Sequence, residues 1–243
     1  MATIAETDAI ILAGGRGTRL SSVVSDRPKV LAEVLGRPLL SHLLDSLEKK
    51  GLRRVILSVG YMAEMVHQVI GPRHGSLEIL YSVETEPLGT GGGIRLACDQ
   101  ALSENILVLN GDSFCGFDAS SLFAYHTEKQ AVGTIAVIEV PDAGRYGRVV
   151  INTDGQIDKF LEKSASGSGS INAGIYLLQT SVVKELPAGV ALSMERDVFP
   201  SFIGQGFYGF AVSGPFIDIG LPETYAQATE FFSGLRRTTQ HIH

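Results

Sequence analysis

Short apolar runs alternate with longer stretches of helical spacing through the first half of the chain. The run from Asp8 to Ala13 has the length and apolar character of a buried strand. Between Leu39 and Lys50, apolar residues recur at Leu40, Leu43, Leu44 and Leu47, and the pattern stops at Gly51, which predicts a helix with a glycine terminus. Arg54 to Val59 then reads as a strand, Ala63 to Ile70 as a helix, Leu77 to Ser82 as a strand, Gly92 to Ala101 as a helix and Ile106 to Asn110 as a strand. Strand, helix and strand in this order are the crossover units of a parallel sheet covered by helices.

The second half changes character. Arg148 to Asn152 and Gln156 to Glu162 flank Thr153-Asp154-Gly155, a hairpin signal, and Ile171 to Gln179 is a further apolar run. These predict antiparallel additions to the sheet. Between them, the small polar run Ser164 to Ser170 predicts a mobile loop, with a domain linker as the rival reading. The expected fold is therefore a single Rossmann-like three-layer α/β/α domain over residues 1–243, its sheet mixed but mainly parallel. No internal repeat interrupts it.

Composition narrows the function. A hydrophobic fraction of 44% and a charged fraction of 19% suit a folded globular chain of 243 residues. The net charge of -6 lacks the basic excess of a nucleic-acid binder, so phosphate-binding cations must be few and local. Cys98 and Cys115 belong to no metal-ligand spacing and read as small core residues of a reducing compartment. The start from Met1 to Glu6 lacks a targeting pattern and no apolar run reaches membrane-spanning length, so no membrane partner and a cytoplasmic location are expected.

The first strand runs directly into Ala13-Gly14-Gly15-Arg16-Gly17-Thr18-Arg19-Leu20. Glycines there let the backbone approach a ligand closely and turn successive N–H groups toward an anion. The loop fails the dinucleotide fingerprint because Leu20 stands at the third glycine position, and it fails the P-loop because no GK[ST] follows. A purely structural turn is the other reading of the glycines. Arg16, Arg19 and, beyond Pro28, Lys29 add charge that backbone amides cannot supply, as several phosphates would require.

LAGGRGTRL followed by RPK resembles the signature of the sugar-phosphate nucleotidyltransferases, and later segments match that family in order over nearly the whole chain. The resemblance implies that Gly14, Gly15, Gly17 and Thr18 line a nucleoside triphosphate, that Arg19 and Lys29 neutralise it, and that Leu12 and Ala13 border its base. Glu84 to Gly92 is similar to the family's base-recognition loop, with Glu84, Pro87, Gly89 and Thr90 on the nucleotide side. A carboxylate at Glu84 favours GTP, because guanine presents adjacent N1–H and N2–H donors to two acceptor oxygens. The bland account of Glu84 is a solvated side chain at a strand end.

Asp112 follows the strand ending at Asn110, at the sheet edge where open α/β sheets bind ligands. Asp218 precedes a helix starting near Pro222, where a capping role is the alternative. The resemblance implies that these two aspartates hold Mg²⁺. It also implies that Gly147, Glu162 and Asn172 contact sugar hydroxyls and that Lys163 binds the sugar's phosphate, although Glu162 and Lys163 also read as a hairpin surface pair. Arg196 reads either as a phosphate ligand or as a partner of Glu195 or Asp197, and it stays outside the expected site.

The implied catalytic set is Arg19, Lys29, Asp112, Lys163 and Asp218, with residues 1–112 serving the nucleotide and 113–243 the sugar phosphate. The implied partners are GTP and a sugar 1-phosphate, with a homo-oligomer compatible with the sequence. SVVSDRPKVLAEVLGRPLL, ILSVGYMAE and EPLGTGGGIR look most like short bacterial guanylyltransferases acting on D-glycero-α-D-manno-heptose 1-phosphate, which make nucleotide sugars for surface polysaccharide. Mannose 1-phosphate is the nearest alternative substrate. A nucleotide-sugar-binding regulatory subunit and, more weakly, a dinucleotide-dependent dehydrogenase are the competing classes. The short stretch after Asp218 leads to the expectation of no C-terminal β-helix and no acetyltransferase activity.

Overall fold

The computed structural model describes residues 3–15, 17–161 and 167–240. Its elements run β1 (Asp8–Leu12), β2 (Glu33–Val34), β3 (Arg37–Pro38), α1 (Leu39–Lys49), β4 (Arg54–Val59), α2 (Ala63–Ile70), β5 (Arg73–His74), β6 (Leu77–Val83), α3 (Gly89–Ala97) and β7 (Asn105–Asn110). They continue with β8 (Ser113–Cys115), α4 (Ala119–Glu128), β9 (Gly133–Val140), β10 (Arg148–Ile151), β11 (Ile157–Leu161), β12 (Gly169–Gln179), α5 (Thr180–Lys184), α6 (Phe199–Phe202), β13 (Phe207–Val212), β14 (Phe216–Asp218) and α7 (Pro222–Gln240).

The strands of the first half form the parallel centre of one sheet, β6-β4-β1-β7, in register Ile10 with Ile56 and Val108. The period-two geometry of β1 sends Ala9 and Ile11 to one face and Ile10 to the other. The first face packs Leu40, Leu43, Leu44 and Leu47 of α1, Val66 and Ile70 of α2 and Leu122 of α4. The opposite face packs Ile94 and Ala97 of α3 and Val183 of α5. Two cores on the two faces of one sheet make the domain a three-layer α/β/α sandwich, as the sequence pattern predicts.

The second half adds β12 antiparallel to β7, and β10 and β11 as the expected hairpin. Its sheet also holds β9 and the parallel neighbour β13. The predicted loop over Ser164 to Ser170 is corrected at its end, because Gly169 and Ser170 already pair with Val140 and Glu139 in β12; Ser164 to Ser166 lie outside the described residues. A bulge between Asn172 and Tyr176 bends β12. Gly174 sits in it at φ +75°, where a Cβ would come within 2.8 Å of Asn110 Nδ2.

The predicted helix Gly92 to Ala101 is displaced toward its N-terminus. It starts at Gly89, because Leu88 N–H donates to Glu84 Oε2 at 2.9 Å and Gly91 N–H to the Leu192 carbonyl at 2.7 Å. It gives way at Cys98–Gln100 to a tighter 3₁₀ turn. A third core cluster, outside the sheet, packs Ala228 and Phe232 of α7 against Leu20, Ala32, Val34, Leu39, Ile217 and Ile219. This cluster fixes the chain on both sides of Lys29, at Leu20 and Ala32, and of Asp218, at Ile217 and Ile219. No helix among the described residues is long and apolar enough to cross a membrane.

Candidate active site

A cleft of about 590 Å³ opens at the carboxyl ends of the parallel strands, where a doubly wound sheet binds its ligands. Its walls carry every described residue expected on the nucleotide side: Leu12, Ala13, Gly14, Gly15, Gly17, Thr18, Arg19, Lys29, Glu84, Pro87, Gly89 and Thr90, together with Asp112. Arg16 lies outside the described residues.

The glycine loop is held from below. Ala13 N–H donates to the Ser58 carbonyl at 2.7 Å, and Leu20, buried against α7, closes the turn with its N–H on the Gly17 carbonyl at 2.9 Å. Gly17 has φ +60°, and a Cβ on it would press on Lys29 Cβ at 3.0 Å. The N–H groups of Gly14, Gly15, Gly17 and Thr18 donate to no protein acceptor among the described residues. Several backbone donors without a described protein acceptor along one cleft wall suit an anion, in a chain of net negative charge.

Lys29 lies between the buried side chains of Val30 and Leu31 and Pro28. Its side chain is 10% exposed, and Nζ donates to Asp112 Oδ2 at 2.7 Å. Asp112 follows β7 through Gly111, where a Cβ would run into the Leu12 carbonyl. Asp218 is brought alongside by the two-stranded sheet of β8 and β14, in which it pairs with Ser113. Ile219 N–H then donates to the Asp112 carbonyl at 3.0 Å. Asp218 Oδ1 accepts the Gly220 N–H at 2.6 Å, and a Cβ on Gly220 would lie 2.7 Å from that oxygen and 3.3 Å from Lys29 Nζ.

Asp112 thus pairs with the Lys29 ammonium, and the turn that carries Asp218 lies beside that pair. The donor set fits a hard cation such as Mg²⁺, which takes one or two carboxylates and completes its shell with water and phosphate oxygens. No group of three or more His, Cys, Asp or Glu side chains with metal-holding geometry occurs among the described residues, as a dedicated zinc site would need.

Glu84 follows β6 and aims its carboxylate into the cleft wall. Oε1 accepts the Ser58 hydroxyl at 3.2 Å and Oε2 the Leu88 N–H at 2.9 Å. A carboxylate has about four acceptor positions, so roughly two stay available to a base. Gly14 and Gly93 make room for it: a Cβ on either would come within 3.0 Å and 2.7 Å of Oε1. Thr90 Oγ1 accepts the Met194 N–H at 2.8 Å, tying the base loop to the Ser193 segment.

Of the residues expected on the sugar side, Gly147 and Asn172 do not line this cleft. Gly147 immediately precedes β10 and follows Tyr146, whose ring stands edge-on to Phe216 at 6.2 Å. Burial raises the Tyr146 phenol above its ordinary value, and the negative charges of Asp218 and Asp112 add to the shift. Asn172 is engaged internally: Nδ2 donates to the Tyr176 hydroxyl at 2.9 Å and to Glu195 Oε1 at 3.3 Å, while Oδ1 accepts the Gly174 N–H at 2.8 Å. Glu162 and Lys163 lie outside the described residues.

Sequence reasoning missed Tyr61, Asn110, Gly111 and Gly220 in the cleft wall. Tyr61 was reachable, because Gly60-Tyr61 directly follows the carboxyl end of β4.

Residues 8–233 match the profile of the nucleotidyl transferase family. D-glycero-alpha-D-manno-heptose 1-phosphate guanylyltransferase of Aneurinibacillus thermoaerophilus is 38% identical over 222 residues, covering 91% of this chain and 96% of that protein. Mannose-1-phosphate guanylyltransferase of Mycobacterium tuberculosis is 32% identical over 92% of this chain, which spans 64% of that longer protein. The crystal structure of HddC from Yersinia pseudotuberculosis complexed with GMP-PN superposes with a TM-score of 0.83 at 37% identity, covering 93% of this chain and 99% of that one.

Proposed function

Since the chain belongs to the nucleotidyl transferase family, we propose that it joins GTP to D-glycero-α-D-manno-heptose 1-phosphate, giving GDP-heptose and pyrophosphate. The observation that carries this reading is the juxtaposition at one cleft of loop N–H groups with no acceptor among the described residues, the Lys29 ammonium and Asp112, with the Asp218 turn alongside. A regulatory subunit that only bound nucleotide sugar would need neither the second aspartate nor the paired lysine. A dinucleotide-dependent dehydrogenase is disfavoured by Leu20, which fills the core where the fingerprint needs glycine.

In the proposed reaction, a phosphate oxygen of the sugar 1-phosphate attacks the α-phosphorus in line. The new P–O bond forms as the bond to the β-phosphate bridging oxygen breaks, and pyrophosphate leaves with those electrons. No protein nucleophile is required. Gly14, Gly15, Gly17 and Thr18 orient the triphosphate through backbone N–H groups, and Arg19 and Lys29 balance charge on the leaving phosphates. Lys163, assigned from its motif, balances the attacking phosphate. Asp112 and Asp218 would hold Mg²⁺, which supplies further charge neutralisation on the phosphates when bound.

Residues 1–112 then serve the nucleotide and residues 113–243 the sugar phosphate, with the two aspartates at their junction. Glu84 selects guanine through two adjacent acceptor oxygens, and the cytoplasm supplies the GTP. The test is a matrix of nucleoside triphosphates against sugar 1-phosphates, including mannose 1-phosphate, read by pyrophosphate release. GTP with the manno-heptose phosphate should give the highest kcat/KM. Preference for UTP or dTTP would overturn the Glu84 assignment, and no release with any pair would overturn the reaction.

A further inference from the structure

We propose that Glu195 contacts the sugar, accepting a hydroxyl proton of the sugar 1-phosphate, and that Asn172 positions Glu195 for that contact. The proposal rests on the reaction assigned above and adds a specificity-determining residue to it.

The argument starts from the hydrogen-bonding capacity of Asn172. Its amide owns two N–H donors and one acceptor oxygen. Both donors are engaged, one by the buried Tyr176 hydroxyl and one by Glu195 Oε1, and the oxygen accepts the Gly174 N–H. The bulge fixes this arrangement, since Gly174 sits at φ +75° against Asn110 and Ser113. An amide so committed orients a neighbour better than it recognises a mobile polyol.

Glu195 has the opposite profile. It is exposed, and the bond from Asn172 is the one side-chain hydrogen bond it makes among the described residues, leaving about three acceptor positions of the carboxylate. Its backbone is nevertheless rigid. It lies in the five-residue π-helix Met194–Val198, whose Met194 and Val198 are buried in the core with Phe199. Ser193 N–H donates to Asp197 Oδ2 at 2.6 Å, and Met194 N–H donates to Thr90 Oγ1 in the cleft wall. The turn that carries Glu195 is therefore tied to the Thr90 loop through Met194 and to β12 through Glu195 itself. π-Helical turns recur at functional sites because they re-aim a side chain at a local cost in backbone regularity.

The charge identifies the ligand. A carboxylate repels phosphate and accepts from hydroxyls, so the group it meets is the polyol part of the sugar phosphate. Its field also reaches the inner side of the site: burial raises the Tyr176 phenol, and the carboxylates of Glu195 and Asp112 both push it further in the same direction.

The test compares Glu195→Ala, Glu195→Gln and Glu195→Asp by pyrophosphate release, with GTP and sugar 1-phosphate varied separately and with a series of monodeoxy sugar phosphates. The alanine and glutamine variants should raise KM for the sugar phosphate about 10- to 100-fold, the range for a hydrogen bond to a charged group, and leave KM for GTP within about twofold. The wild type should lose a similar factor on one deoxy sugar, and both variants should no longer discriminate against it. Aspartate should recover part of the loss. An unchanged sugar KM, or a deoxy profile identical to the wild type, overturns the assignment. Absence of release from the wild type instead overturns the reaction, and the assignment with it.

Discussion

Lys29 Nζ donates to Asp112 Oδ2 at 2.7 Å and lies beside the turn that Asp218 makes with Gly220, so one nearly buried ammonium pairs with the first aspartate next to the second. The charges are unequal in their hydration. Asp112 is 39% exposed and stays solvated without Lys29, whereas Lys29 has little water of its own.

Lys29→Ala should therefore keep its fold and lose at least about 100-fold in kcat, the scale seen when one preorganised charge-stabilising group is removed. Asp112→Asn should lose a comparable factor and should raise the Mg²⁺ concentration needed for half-maximal rate. Pyrophosphate release across a Mg²⁺ titration, with circular dichroism as the fold control, checks both. Wild-type turnover in either variant contradicts the assignment.

Base selection gives a second expectation. GTP should exceed ITP, which lacks the exocyclic amine, by about 10-fold or more in kcat/KM, as a lost hydrogen bond to a carboxylate predicts. Glu84→Gln should shrink that ratio toward unity, because an amide oxygen beside an amide nitrogen no longer matches two donors. A GTP to ITP ratio unchanged by the substitution separates Glu84 from the base.

The glycines around Glu84 can be tested without touching it. Gly93→Ala would place a methyl carbon 2.7 Å from Glu84 Oε1, closer than carbon and oxygen pack, so the carboxylate must shift. KM for GTP should rise several-fold while KM for the sugar phosphate stays fixed. Equal change in both constants would point to general distortion.

The parts legible in the sequence share one property, local pattern. Strands β1, β4, β6 and β7 were readable because buried parallel strands are short continuous apolar runs, and LAGGRGTRL was readable because its chemistry is contiguous. β9 and β13 were not, although GTIAVIEV is strongly apolar, because only pairing with β12 and with each other decides their place in the sheet. The start of α3 was misplaced because its determinants, Leu192 and Glu84, lie outside the helix. Asn172 was singled out by its motif, but its saturation by Tyr176, Gly174 and Glu195 is a tertiary fact.

Stability should depend on pH through His126. The ring is buried, with Nδ1 at 2.8 Å from Thr134 Oγ1 and Nε2 at 3.2 Å from Asn105 Oδ1, and burial lowers its pKa from 6.5 to about 4. The folded chain holds this histidine neutral while the unfolded chain protonates it, so the contribution is complete above pH 6.5 and is lost as pH falls toward 4. The loss amounts to about 3 kcal/mol, taking 1.36 kcal/mol per pKa unit. Urea unfolding at pH 7, 6, 5 and 4 should show the decline, and His126→Gln should flatten it.

The pairing of Asp218 with Ser113 also orders events during synthesis. Residues 1–112 contain the whole glycine loop, Lys29 and the first aspartate, yet β14 and α7 leave the ribosome about a hundred residues later. A nascent chain of that length would thus carry the proposed triphosphate-binding residues while lacking both the second carboxylate and the α7 packing that holds Leu20 and Ala32. In the proposed reaction the second carboxylate is in place only once β14 has paired with β8, so turnover would wait for closure of that ribbon.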